Sequence, residues 1–215
     1  MITGVISMTQ NKIKNSNKDK IILDLCGGSG AWSKPYKDNG YNVKNITLPT
    51  YDITDENVVN FCINLNPYGI LFACPCDIWS NAGVRFWKSR TSDEVLYHSI
   101  ILIKGLRIIY ESNPVFWCLE NPIGKMKEFM GEPVYKFHPY VFGDAYTKKT
   151  YLWGKFNIPM FPLSTEPKLK NPVKFGGSNS TKNQTPISWI SGKDRKERRA
   201  ITPRGFANAF FEANK

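Results

Sequence analysis

The chain has 215 residues, of which 41% are hydrophobic, 22% charged and 13% aromatic, a globular composition that excludes wholesale disorder and allows one buried core. Its net charge of +11, from 29 Lys and Arg against 18 Asp and Glu, suits a polyanionic partner, with a merely soluble basic surface as the plainer alternative. No apolar run approaches the roughly 20 residues of a membrane span, and residues 1–7 lack the charged start and long apolar stretch of a secretion signal.

Residues 1–19 are polar, lysine-bearing and aperiodic, and read as an arm. Lys20 to Cys26 is a short apolar run entering Gly27-Gly28-Ser29-Gly30, the pattern of a buried strand that ends in a glycine turn. A helix is predicted over Ala31 to Asn39 with Gly40 closing it, then a strand over Tyr41 to Leu48. A second helix over Asp55 to Leu65, capped by Thr54 or Asp55, leads to a third strand from Tyr68 to Cys74. Ser92-Asp93-Glu94 caps a long helix running to about Glu111, with Leu96, Ile100, Ile103, Leu106 and Ile109 on or near one face. Val115 to Glu120 is the next buried strand. Strand and helix alternating at this spacing mean a parallel α/β sheet with right-handed crossovers. Beyond Met130 the pattern changes, with a strand over Lys149 to Gly154, loop from Pro162 to Arg199, and a last helix opened by Pro203 and ending near Asn214. The organisation expected is an arm (1–19), a core (20–162), a basic loop-rich segment (163–199) and a C-terminal helix (200–215) packing back on the core.

Ligands of open parallel sheets sit off the carboxyl ends of the strands. Four features fall there: the Gly27–Gly30 turn, Tyr51-Asp52, Pro75-Cys76 and Glu120-Asn121-Pro122. The turn lacks the lysine of a P-loop and the spacing of a dinucleotide fingerprint, and by itself fits a structural turn as well as a ligand contact. Cys76, after a proline at a strand end, has the position of a nucleophile, whereas Cys26, Cys62 and Cys118 read as inert small hydrophobes. Five cysteines form no even framework and suit a reducing, cytoplasmic setting. Cys74 and Cys76 lack the further Cys or His residues of a zinc site, so no metal is expected. Glu120 ends an apolar strand, either paired structurally or acting as a functional acid. Between Leu163 and Arg204 stand ten Lys and Arg against three acids, a local excess that marks Lys193, Arg195, Lys196, Arg198 and Arg199 as candidate phosphate contacts.

Together these features resemble the cytosine-5 DNA methyltransferase family, particularly its small phage-type members. Asp24-Leu25-Cys26-Gly27-Gly28-Ser29-Gly30-Ala31-Trp32 is similar to the family's first cofactor motif, and Tyr51-Asp52-Ile53 sits where the family contacts the cofactor adenine. Ala73-Cys74-Pro75-Cys76 resembles the nucleophile loop, Glu120-Asn121-Pro122 the glutamate motif, and Lys149 to Gly154 the strand with a basic residue at the target base. Thr202 to Ala207 stands where the family's last motif would be. The resemblance implies a Rossmann-like methyltransferase fold with one antiparallel strand at Lys149–Gly154. It also implies S-adenosyl-L-methionine as cofactor and DNA as partner, with the cytosine flipped out where that DNA is duplex; the sequence leaves the oligomeric state open, a monomer being favoured. Carried over residue by residue, Cys76, Glu120 and Lys149 would be catalytic, and Asp24, Cys26, Gly28, Gly30, Trp32, Thr47, Asp52 and Pro75 would line the cofactor. The chemistry requires such a set. Carbon 5 of cytosine is a poor nucleophile until a thiolate adds to carbon 6, an acid serves N3 and a cation faces the 2-keto oxygen.

The sequence departs from the family in places. Thr47 stands where an acid would bind the cofactor ribose, Cys74 replaces a proline, Asp77 follows the nucleophile, and Thr147 takes the place of a second basic residue. Some 45 residues separate Gly154 from the last helix, which leaves little room for target recognition. The alternatives are a catalytically silent nucleic-acid-binding protein of the same fold, or an enzyme that modifies a free pyrimidine nucleotide or RNA, or uses a modified donor.

Overall fold

A computed structural model describes residues 16–144, 146–160, 173–174 and 200–215. The arm up to residue 15 and the expected phosphate contacts Lys193, Arg195, Lys196, Arg198 and Arg199 lie outside the described residues.

Four parallel strands form the centre of the molecule: β1 (Ile21–Leu25), β2 (Asn42–Ile46), β3 (Gly69–Phe72) and β4 (Phe116–Pro122). Two antiparallel strands, β5 (Tyr135–Phe137) and β7 (Thr150–Lys155), complete a six-stranded sheet in the order β2-β1-β3-β4-β7-β5. β6 (Tyr146–Thr147) pairs separately with β8 (Val173–Lys174). The expected architecture, a mostly parallel α/β sheet with an antiparallel strand at Lys149–Gly154, is the one observed. β1 and β3 are buried on both faces, which explains why their sequences are apolar rather than alternating, Asp24 of β1 excepted.

One face of the sheet carries α2 (Glu56–Asn64) and α4 (Ser92–Ser112), which pack on each other. Asp55 caps α2 by accepting a hydrogen bond from the Asn57 amide at 2.9 Å. Thr91, one residue before the expected cap, closes α4 through a reciprocal capping box with Glu94. The buried face of α4 is Ile101, Leu102, Gly105, Ile108 and Ile109; of the expected stripe only Ile109 is buried, with Ile100 and Leu106 half-buried. Leu96 and Ile103 are 57% and 61% exposed. Apolar side chains such as Tyr110 also stand on its exposed side, so periodicity alone does not fix which side meets the sheet.

On the other face, α1 (Lys34–Asp38), shorter than predicted, packs against the C-terminal helix α6 (Arg204–Ala213). Trp32, Tyr36, Phe116, Phe137, Phe206 and Phe210 form an aromatic cluster there, and each fully buried ring contributes about 1.5–3 kcal/mol by leaving water. Pro203 leaves α6 without a side-chain cap of its own. Asp144 supplies one from outside, accepting from the Gly205 amide at 3.1 Å. At the other end the Asn214 side chain exchanges hydrogen bonds with the Asn157 backbone, at 2.7 and 2.9 Å, and ties the chain end to the exit of β7. Two short helices, α3 (Asn81–Val84) and α5 (Met126–Met130), flank the carboxyl ends of β3 and β4.

Candidate active site

The carboxyl ends of β1 to β4 gather the residues that the sequence singled out. At the end of β1 the chain turns through Cys26, Gly28 and Gly30, all with positive φ (57°, 51° and 70°). A Cβ at Gly27 would overlap the carboxylate of Asp24, which lies fully buried beneath the turn. That carboxylate accepts a 2.5 Å hydrogen bond from Ser33 Oγ, while its other oxygen has no partner. Burial pushes its pKa up to about 6, against the lowering effect of the Ser33 bond. Asn45 of β2 steadies the turn by donating to the Gly28 carbonyl at 2.9 Å. Space above Gly28 is open, with no atom within 4 Å of where its Cβ would stand.

Cys26 is pushed up to about 12 by burial and by the charges of Asp24 and Asp52, which makes it an inert thiol. Asp52 is held by Thr54, whose amide and hydroxyl donate at 2.9 and 2.8 Å. Tyr97, on the first turns of α4, feels both Asp52 and Cys26 and so borders the same hollow. Thr47 lies half-buried just past β2. The turn is thus open above Gly28, closed below by the buried Asp24 carboxylate, and has Asp52 and Tyr97 within electrostatic reach of Cys26. A cavity of about 710 Å³ opens beside the first turn of α6, lined by Ala31, Lys34, Asp144, Tyr146 and Arg204 among others.

Beyond β3 the chain passes through Pro75 into a loop that is tightly held. The Cys76 carbonyl accepts from the amides of Trp79 and Ser80 at 3.2 and 3.0 Å. Arg90 donates to the Asp77 carbonyl at 2.9 Å, and Trp87 Nε1 to the Ile78 carbonyl at 2.6 Å. A Cβ on Gly83 would overlap the Asp77 carbonyl oxygen, so α3 approaches the loop as only glycine allows. The loop is also fastened to β4. Asn121, fully buried, donates to the Cys74 carbonyl at 2.8 Å, and Ser80 forms an isolated antiparallel bridge with Gly124.

Of the five cysteines Cys76 alone is exposed. Its thiol is nonetheless pushed above its ordinary value, mainly by the protein that screens it from water. Lys148 pulls it down, and Glu120 and Asp77 push it up. Lys148 Nζ also lies 3.8 Å from Glu120 Oε1, so Cys76, Glu120 and Lys148 form one electrostatic group. Beside Glu120 and Lys148 is a cavity of about 10 Å³, the room of roughly one water molecule, which Thr202 and Pro203 also line.

The sheet thus brings together Asp24, Cys26, Gly28, Gly30, Thr47 and Asp52 on one side, and Pro75, Cys76 and Glu120 on the other. Two predicted residues stand elsewhere. Trp32 is buried at 5.7 and 5.4 Å from Phe206 and Phe210 (ring centroids), in the aromatic core. Lys149 is exposed, its Nζ 5.8 Å from the centre of the Tyr151 ring, and its neighbour Lys148 meets Glu120. Both lysines precede β7, and strand alternation gives no sign of which one turns inward. Ser33, Asn45, Tyr97 and Asn121 also support the candidate site, and the sequence assigned none of them a role of its own. Only Asn121 carried a signal, by adjoining Glu120. Among the described residues no three His, Cys, Asp or Glu are grouped to hold a metal ion.

No protein-family profile matches the chain, and no curated protein does. Among solved structures it is similar to the crystal structure of a candidate DNA modification methyltransferase encoded within a prophage, from E. coli. The two share 18% identity with a TM-score of 0.47, over 72% of this chain and 53% of that one. The chain therefore spans about half the length of that protein.

Proposed function

We propose that this protein transfers a methyl group from S-adenosylmethionine to carbon 5 of cytosine in DNA. The observation that carries the reading is that the single exposed thiol, Cys76, stands at the sheet's carboxyl edge within the fields of Glu120 and Lys148. The Cys76 sulfur adds to carbon 6 of the ring, Glu120 shares a proton with N3 as electrons move there, and carbon 5 becomes enamine-like. S-adenosylmethionine, when bound, supplies an electrophilic methyl group. Loss of the carbon-5 proton to a solvent base then restores the double bond and expels the sulfur. Lys148 has two tasks. It offsets the raised thiol pKa, and it faces negative charge growing on the 2-keto oxygen. Lys149 is the alternative cation for the second task. Gly28 and Gly30 would hold the cofactor at the turn, Asp52 and Tyr97 its adenine, Thr47 its ribose, and Arg204 its carboxylate. A base in duplex DNA must leave the stack to reach Cys76.

The test is mass spectrometry of nucleosides from DNA incubated with the protein and S-adenosylmethionine. 5-Methyl-2′-deoxycytidine should appear with the native chain and not with Cys76→Ala. Methylation at an exocyclic amine, or none at all, would contradict the reading.

A further inference from the structure

Helix α4 carries a second apolar line that the sheet does not use. Leu96, Ile103 and Tyr110 stand seven residues apart, nearly two full turns each, and so share one line of the helix, opposite Ile101, Gly105 and Ile108 on its buried side. They are 57%, 61% and 86% exposed, and half-buried Ile100 and Leu106 flank them. The line runs about 21 Å along the surface, at 1.5 Å per residue. Exposed apolar residues scattered singly are ordinary, whereas large ones at heptad spacing form the seam of a helix–helix contact. Charge indicates what meets this seam. Together α2 and α4 hold two basic residues, Lys104 and Arg107, against four acidic ones, Glu56, Asp93, Glu94 and Glu111, in a chain of net charge +11. Both cations are already paired with Glu56, and Arg107 Nε lies 2.7 Å from Glu111 as well. The face therefore does not attract a polyanion, and it is where two copies of a strongly basic chain repel each other least.

The line is also self-complementary. A two-fold axis at Ile103 sets that residue against itself, and Leu96 against Tyr110 of a second copy, so that apolar meets apolar throughout. Side by side, α2 and α4 offer a face about 32 Å long and 20 Å wide, roughly 600 Å², a little under the 800 Å² or so that each partner of a standard interface buries. We infer that the chain forms a two-fold dimer through the outer face of α4, paired head to tail with α4 of a second copy, where the family resemblance favours a monomer. The modest area makes the dimer reversible, with a dissociation constant of roughly micromolar order. Because α4 joins the carboxyl end of β3 to the start of the parallel strand β4, it runs against both strands. Head-to-tail pairing turns the second sheet end over end, and the two Cys76 edges face opposite ways. On the function proposed above, each copy then works on its own stretch of DNA.

The experiment is sedimentation velocity of the full chain without DNA or S-adenosylmethionine, so its outcome is independent of the methyl-transfer chemistry. Over roughly 1–300 µM the native protein should pass from the 24.5 kDa monomer to a species of twice that mass. Ile103→Arg should raise the dissociation constant by at least roughly 100-fold, because the new charge meets its own copy across the axis. Ile103→Ala, which favours the helix and removes only the apolar contact, should also weaken the dimer, and circular dichroism of both variants should match the native chain. Val134→Arg, at an apolar position 52% exposed and away from α4, should leave the dimer unchanged. Oxidative cross-linking in a Cys76→Ala background tests the pairing. Ile103→Cys should link to itself, and Leu96→Cys and Tyr110→Cys should link when mixed and not separately, since like positions there stand about 21 Å apart. A native chain that stays monomeric throughout would overturn the inference and leave the seam to a different protein. A dimer that survives both Ile103→Arg and Ile103→Ala, or self-linking by Leu96→Cys, would overturn it as well.

Discussion

Replacing Asp24 with asparagine isolates the cost of the buried carboxylate beneath the glycine turn. The group has an ordinary value of 3.8 and is pushed up to about 6 by burial. Below pH 3.8 it is protonated in both the folded and unfolded chain and contributes no penalty. As pH rises through 3.8 the unfolded chain ionises first, and stability falls until pH passes about 6, where the folded group ionises too. The gap corresponds to about 3 kcal/mol, since each pH unit is worth 1.36 kcal/mol. Asparagine fills nearly the same volume and still accepts from Ser33, but does not titrate. Urea denaturation of the two proteins between pH 3.5 and 7.5 gives the comparison. The difference in unfolding free energy should move by about 3 kcal/mol in favour of Asp24→Asn, nearly all of it between pH 4 and 6. Other titrating groups cancel in the difference. Ser33→Ala should extend the window to higher pH, because the lost bond favoured the charged form. Parallel profiles for native protein and Asp24→Asn would refute the reasoning.

Other expectations concern the reaction and its scaffold. Glu120→Gln should lower the methyl-transfer rate by roughly 10²–10⁴-fold with cofactor affinity unchanged, measured by tritium transfer and calorimetry. Lys148→Ala should cost roughly 10²-fold in the same assay and Lys149→Ala far less, since only Lys148 meets Glu120. Asn121→Ala removes the tie between β4 and the Cys76 loop and leaves the buried Cys74 carbonyl without that donor. It should cost about 1–3 kcal/mol in denaturant unfolding and lower the turnover rate as well. Gly83→Ala drives a methyl group into the Asp77 carbonyl. It should destabilise by about 1–3 kcal/mol and depress methyl transfer more than S-adenosylmethionine binding, because only the nucleophile loop is displaced.

The sheet was legible because β1, β3 and β4 are short apolar runs that end in glycine or proline, a pattern few other structures satisfy. Glu120 and Cys76 were legible for the same reason, since a strand end fixes where the next residue stands. The buried side of α4 was not, because apolar residues such as Ile103 and Tyr110 also occupy its exposed side, and Gly105 rather than a large residue marks its contact with Phe72 of the sheet. Trp32 read as a cofactor neighbour by adjoining the turn. Its partners Phe206 and Phe210 come from α6, more than 170 residues later, and no local pattern reports such a contact. The choice of Lys148 over Lys149 depends on how β7 leaves its preceding turn, which is a matter of backbone geometry.

The most direct test of the central claim uses DNA in which the target cytosine is replaced by 5-fluorocytosine. Fluorine at carbon 5 cannot leave as a proton does, so a chain that attacks carbon 6 remains bonded to its substrate after methyl transfer. Incubation with S-adenosylmethionine, denaturation and peptide mass spectrometry should give a covalent adduct on Cys76. Single substitutions at Cys26, Cys62, Cys74 or Cys118 should leave it intact, and Cys76→Ala should abolish it. An adduct on another cysteine, or methyl transfer at full rate by Cys76→Ala, would contradict the account.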